Sequence, residues 1–365
     1  MYKEIAHDAT NRRNPLFQIG TILFFLSLRR EEKHLSHCLK EKIRGFHIMA
    51  ENNRAQKVGL VGTGFVGSSF AYALMQRGIA SELVLIDANA EKAVGEMMDL
   101  NHGLSFTKPM KITAGNYSDL NGAKVVVVTA GASQKPGESR LDLLARNAAI
   151  FRSIIPEIVR NNPGGIILIT TNPVDILTYI SLKESGLSPA QVIGSGTILD
   201  TSRFRFLLGQ FYEVDTRSVH SFIVGEHGDS EIPLWSMANI GGVRLQEFAP
   251  LKNKQYDQQE MNKLFVSVRD AAYEIIKRKG ASYYAIGLGL LSIVESILGN
   301  YRSVLSISTL MTGQYGVNDI CLSLPSIVGE NGVEEILTLP MNEEEQEGFR
   351  VSANKLKSTL NNLKS

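Results

Sequence analysis

Lys57-Val58-Gly59-Leu60-Val61-Gly62-Thr63-Gly64-Phe65-Val66-Gly67 decides the fold. Residues 58–61 run without polar alternation, as a strand does when both of its faces are covered. The glycines that follow open a helix predicted over 68–76. Gly62 permits a tight turn, Gly64 lets the backbone approach a pyrophosphate, and Gly67 lets the helix pack close to the strand. The helix N-terminus then turns unpaired N–H groups and a positive dipole end toward phosphates. In a chain with 32 glycines the G-x-G-x-x-G pattern alone is weak. Its context makes it specific. Asp87 stands 20 residues beyond Gly67, at the end of a second apolar run, where a carboxylate accepts hydrogen bonds from both ribose hydroxyls. That carboxylate repels a 2′-phosphate, so the expected cofactor is NAD rather than NADP.

Working outward, 83–86, 125–129 and 166–170 are further apolar runs. Helical patterns at 91–100, 141–161 and 174–184 alternate with them. Repeated βα units of this kind predict an α/β fold with a doubly wound parallel (Rossmann) sheet. Past Ser195 the pattern turns mixed, with a strand over 219–224 and helices over 197–211, 256–277 and 283–298. The expected organisation is an NAD-binding domain at 49–195 followed by a mixed α+β substrate domain at 196–365. The 365 residues, 44% of them apolar, are enough for two cores. A net charge of +1 gives no reason to expect a nucleic-acid or anionic-membrane surface. With only Cys38 and Cys321, no disulfide framework or zinc spacing is possible, which fits a reducing cytoplasm, and no metal is expected.

Residues 1–48 read differently. The 13-residue apolar run at 16–28 is short for a membrane span and ends abruptly at Arg29-Arg30-Glu31-Glu32-Lys33. A weak anchor, a disordered tail and an untranslated stretch are the three readings. The expectation adopted is translation from Met49, since Arg44-Gly45 can be encoded by a purine-rich sequence suited to a ribosome-binding site.

Four places carry side chains suited to chemistry. His227 sits in Gly225-Glu226-His227-Gly228-Asp229, a glycine-flanked loop after a strand, and an imidazole there can exchange a proton near neutrality. Taken alone, a loop histidine is more often surface filler. Asp200 and Arg203 stand three apart in a helix otherwise rich in Ile198, Leu199, Phe204 and Leu208, so they share a face. The bland reading is a solvated ion pair, but a helix this apolar is expected to be buried. Gln134 to Arg140 forms a polar loop whose arginine is able to close over an anion. Asn172-Pro173 reads as a helix start, with Asn172 as cap or as a carboxamide facing a ligand.

Six collinear motifs resemble the L-lactate and malate dehydrogenase family, nearest to its bacterial L-lactate branch: GTGFVG, GASQKPGESRLDLLARN, TTNPVDILTY, GSGTILDTSRFR, GEHGDSEIPLW and KGASYYAIGLGL. The match runs from about Lys57 to the C-terminus. It implies hydride transfer between NADH and pyruvate, giving L-lactate, as part of glycolysis and fermentation. Catalysis would fall to His227 as acid–base, Asp200 as its orienting carboxylate, Arg203 as the grip on the substrate carboxylate, and Arg140 as the group polarising the carbonyl. Substrate contacts would add Gln134, Asn172 and Ser282. Ser282 stands where the family usually has threonine, which leaves the pocket one methyl larger. The cofactor would lie against Gly62, Gly64, Val66, Gly67, Asp87, Lys92, Tyr117, Gly131, Ala132, Ser153, Thr170, Asn172 and Ser195. The malate branch carries an arginine at the position of Gln134 to pair a second carboxylate; a neutral Gln favours pyruvate. Arg205 and His220 match positions that bind fructose 1,6-bisphosphate across a subunit interface, and the resemblance implies a homotetramer. The rival readings are a dehydrogenase for malate or another L-2-hydroxy acid, and a catalytically inactive NAD-binding relative.

Overall fold

The computed structural model describes residues 56–132 and 139–364. The chain forms in order β1 (Lys57–Val61), α1 (Phe65–Arg77), β2 (Glu82–Ile86), α2 (Ala90–Gly103), β3 (Lys111–Ala114), β4 (Val125–Val128), α3 (Arg140–Asn161), β5 (Ile166–Ile169), α4 (Val174–Ser185) and β6 (Val192–Gly194). These strands are mutually parallel, in the order β3-β2-β1-β4-β5-β6. The order reverses between β1 and β4, which opens a crevice beyond the carboxyl ends of the strands. This is the doubly wound sheet expected from the sequence. Its strands lack polar alternation because both faces are covered. Val126 and Val128 of β4 enter one apolar core with Phe151 and Ile155 of α3. Val125 and Val127 enter the opposite core with Phe70 and Leu74 of α1.

The chain continues through α5 (Ile198–Tyr212), β7 (Val219–His220), β8 (Ile223–Gly225), β9 (Glu231–Pro233), β10 (Asn239–Ile240), β11 (Val243–Arg244) and α6 (Leu245–Leu251). It ends with α7 (Gln258–Lys279), α8 (Tyr284–Gly299), β12 (Ser303–Thr312), β13 (Asn318–Gly329), β14 (Gly332–Ile336) and α9 (Glu343–Lys364). β12 and β13 pair along their length as an antiparallel hairpin, and β12 joins the parallel strands by pairing Ser308 with Gly194 of β6. Nucleotide-type strands and later strands therefore share one sheet. Helix α8 returns to cover it: Leu290, Ile293, Val294 and Ile297 share a core with Leu60, Leu83 and Val125.

Two local expectations are corrected. The strand predicted over 219–224 is two strands: β7 pairs β10 in a small separate sheet, whereas β8 pairs β9 and β13 in the large one. The break falls at Ser221-Phe222, where the Ser221 carbonyl accepts from Arg205 Nε at 3.1 Å instead of a ladder partner. His220 and His227 thus do not lie on one strand. The cap of α4 is Pro173, not Asn172, and it supplies no side-chain hydrogen bond. Among the described residues no helix is long and apolar enough to cross a membrane.

Candidate active site

The glycine turn is built as its sequence demands. Gly62 has φ +100°, and a Cβ there would strike the backbone of Ala130. A Cβ on Gly67 would strike the Gly62 carbonyl oxygen, which already accepts from Thr129 Oγ1 at 2.6 Å. Gly64 differs, because nothing lies within 4 Å of where its Cβ would stand. As N-cap of α1 it offers no side-chain acceptor, so the first N–H groups of the helix face that open space. Room plus unoccupied donors at a positive helix end fits a pyrophosphate. Asp87 Oδ2 accepts from Thr63 N at 2.7 Å and Thr63 Oγ1 at 3.0 Å, and Oδ1 accepts from Asn89 N at 2.9 Å. Partial burial opposes its charge, but the bonds from Thr63 and Asn89, helped by the charge of Lys92, hold the carboxyl below its ordinary range. Asp87 is therefore an anion tied to the glycine turn.

Past β4, Ala132 N donates to Asn147 Oδ1 at 2.8 Å, and Asn147 Nδ2 donates to the Asn172 carbonyl at 3.2 Å. Buried Asn147 thus fastens the exit of β4, where Gly131 stands, to the exit of β5. It was not singled out in the sequence. Ser153 is exposed on α3 and donates back to the Ile150 carbonyl, while Tyr117 packs against the core beneath α3.

At the carboxyl ends of β5 and β6 lies a cavity of about 280 Å³. Its polar lining is Thr170, Asn172, Ser195, Arg203, His227 and Ser282, and its apolar lining includes Val66, Leu199, Ile276 and Ile286. Among the described residues, the cavity thus gathers its lining from five of the six sequence motifs. Thr170 Oγ1 is buried without a hydrogen-bond partner, a donor and acceptor left for a bound group. Ser139 caps α3, accepting from Asp142 N at 3.1 Å while the Asp142 carboxylate accepts from Ser139 N at 3.3 Å. Arg140 is the first residue of α3. Its side chain, like Gln134, lies outside the described residues.

The floor of the cavity is a three-membered chain. His227 Nδ1 lies 2.5 Å from Asp200 Oδ2, and Arg203 Nη1 donates to Asp200 Oδ1 at 2.9 Å. Asp200, with 3% of its side chain exposed, has both oxygens engaged. A carboxylate only accepts, so the proton of the neutral imidazole sits on Nδ1 and Nε2 is left for a ligand. Burial disfavours the imidazolium, yet the Asp200 charge and hydrogen bond outweigh it and push His227 up to about 9. Burial likewise works against ionised Asp200, and His227 and Arg203 hold it below the usual carboxylate range.

The backbone behind His227 is anchored from a distance. Its N–H donates to Asp175 Oδ2 at 2.8 Å, and Ser308 donates to Asp175 Oδ1 at 2.6 Å. Burial raises the Asp175 carboxyl to about 6 despite those bonds. The sequence signal for Asp175 was an acid inside the apolar run of α4. Glu231, buried at the start of β9, is a further residue that the sequence reading does not single out. Arg205 leaves α5 away from the cavity, donating to Ser221 and stacking 5.3 Å over the Phe222 ring. His220 is exposed on the neighbouring segment.

The model of the lactate/malate dehydrogenase NAD-binding domain matches residues 56–194, and that of the lactate/malate dehydrogenase alpha/beta C-terminal domain matches 197–365. An L-lactate dehydrogenase of Acetivibrio thermocellus is 52% identical over 315 residues, covering 86% of this chain and 99% of that one. L-lactate dehydrogenase 1 of Clostridium acetobutylicum is 49% identical over 307 residues, 84% of this chain and 98% of its own. A crystal structure of a minor L-lactate dehydrogenase from Enterococcus mundtii superposes with a TM-score of 0.82 at 45% identity, covering 84% of this chain and 98% of that one.

Proposed function

Because the chain belongs to the lactate/malate dehydrogenase family and uses NAD, we propose that it interconverts pyruvate and L-lactate. The observation that carries this reading is the His227–Asp200–Arg203 chain on the floor of a cavity that also holds Thr170 and Val66 of the nucleotide crevice. Arg203 binds the substrate carboxylate through its planar fork. His227 Nε2 donates a proton to the keto oxygen, and Asp200 stabilises the imidazolium that donates it. Arg140 closes with the loop before α3 and polarises the carbonyl. Asn172 and Ser282 line the substrate side. Bound NADH supplies the hydride. Gly62, Gly64, Val66, Gly67, Asp87, Lys92, Tyr117, Gly131, Ala132, Ser153, Thr170 and Ser195 would hold the nucleotide. The polypeptide divides its labour between an NAD-binding part up to Ser195 and a substrate part after it, and works in the cytoplasm as a homotetramer.

Gln134 selects pyruvate, because a second substrate carboxylate would be buried without a cation. The test is NADH oxidation with pyruvate, oxaloacetate and a branched 2-keto acid. Pyruvate is expected to give the highest kcat/KM, and Gln134→Arg to shift the ratio toward oxaloacetate. A ratio that stays put removes Gln134 from the variable end of the substrate.

Fructose 1,6-bisphosphate is the proposed effector, with Arg205 and His220 as its phosphate partners. Like charges met across a two-fold axis oppose assembly, and a bisphosphate replaces that repulsion with charge-assisted hydrogen bonds. The coupling to pyruvate is expected at about 1–3 kcal/mol. Pyruvate KM should fall on adding the sugar at low protein concentration, and Arg205→Gln should abolish the fall. An unchanged KM in the wild type at neutral and mildly acid pH rejects the effector.

A further inference from the structure

Glu231 has no place in the scheme above, yet it stands beside its centre. One carboxylate oxygen of Glu231, one of Asp200 and a ring nitrogen of His227 all lie within 4.8 Å of one another. Only 7% of the Glu231 surface is exposed, and its Oε1 makes no hydrogen bond. Asp200 gives it nothing, since one Asp200 oxygen faces His227 and the other Arg203. A glutamate in ordinary use would pair with a cation or reach water.

Resting on the function proposed above, we propose that Glu231 is a positioning residue for proton transfer, a buried acid that shares a proton with His227 and so keeps the imidazole protonated further into the alkaline range. The charged groups acting on it are Asp200 and Arg203 from α5, His227 from the loop, and Arg269 from α7. Burial dominates, and with the neighbouring Asp200 charge it pushes the carboxyl up to about 9, level with His227. Two groups that interact this closely titrate as a pair. With both protonated, the first proton lost to solvent leaves one behind. That proton occupies either the carboxyl, leaving a neutral imidazole, or the imidazole, leaving a carboxylate. In the second arrangement the new anion favours the imidazolium, and the competent state persists beyond the first ionisation. Protonated Glu231 also sets the charge of the closed site. Arg203, imidazolium and Asp200 then sum to one positive charge, matching one substrate carboxylate.

The experiment measures kcat/KM for pyruvate at saturating NADH across the alkaline range, in wild type and in Glu231→Gln. Binding of oxamate, a keto-acid isostere, to the enzyme–NADH complex is followed in parallel by NADH fluorescence. Gln keeps the volume and removes the proton site. The descending limb of both profiles is expected to move to lower pH by about one unit, the shift an opposite charge at this range produces, so that kcat/KM on the limb drops about tenfold at fixed pH. Glu231→Met, apolar and of similar length, is expected to give the same displacement and serves should the Gln variant not fold. A wild-type limb reproduced by a variant that binds NADH normally overturns the inference alone. A wild type that neither reduces pyruvate nor binds oxamate at any pH overturns the proposed function, and the inference with it.

Discussion

His227→Ala is expected to lower kcat for pyruvate reduction by about a hundredfold to ten-thousandfold while NADH still binds. Among the described residues lining the cavity, the imidazole is the titratable group able to give up a proton near neutrality; Arg203 holds its protons at any accessible pH. Its removal deprives the transition state of a donor and leaves Asp200 with Arg203 alone. The glycine turn and Asp87 lie outside that chain, so nucleotide affinity is expected to survive. Steady-state turnover and NADH fluorescence titration on one preparation check both halves. A variant with near-normal kcat removes His227 from the mechanism.

Arg203→Lys should be nearly as damaging, but in a different parameter. In the proposed function the guanidinium, already bonded to Asp200, also binds a substrate carboxylate, and its planar fork has donors for both. A lysine ammonium is a point charge on a stem that does not present two parallel N–H groups. Losing one charge-assisted hydrogen bond costs about 1.5–3 kcal/mol, a ten- to hundredfold loss in kcat/KM expressed chiefly as a higher pyruvate KM. Arg203→Gln goes further, because it leaves Asp200, almost fully buried, with only the imidazole. Breaking a buried pair costs about 3–5 kcal/mol, so a lower unfolding temperature is expected as well. Pyruvate saturation and thermal denaturation separate the two variants. If Arg203→Lys binds pyruvate normally, the carboxylate is held elsewhere.

The parts legible in the sequence share one property: each is a local pattern. Strands covered on both faces read as unbroken apolar runs, and the glycine turn lies within one strand–helix unit. Asp200 and Arg203 were readable as a pair because they are one helical turn apart. What escaped depends on pairing across the chain. Asp175 acquires its meaning from His227, 52 residues away, and from Ser308, 133 residues away. β12 was missed because Ser306, Ser308 and Thr309 look like solvent-facing positions. All three are buried, and the hydroxyls of Ser306 and Ser308 bond to Ile223 and Asp175. The break at Ser221-Phe222 was hidden for the same reason, since β7 and β8 find their partners in different sheets. Glu231 follows a histidine motif closely enough to look like loop decoration, and only burial reveals it.

The return of α8 across the parallel strands bears on how such a chain can be recombined. Its Leu290, Ile293, Val294 and Ile297 are the lid of the apolar layer that Leu60, Leu83 and Val125 open. β12, through Ser308, caps the free edge of β6. A chimera that joins residues 56–194 of this chain to the remainder of a relative inherits a seam, not a clean junction. Side chains far apart in the chain must still interlock, and a mismatch would bare both a greasy face and an unpaired strand edge, the surfaces on which proteins aggregate. Crossovers that keep α8 and β12 with the parental strands they cover preserve that seam. The nucleotide half and its cover are thus inherited together.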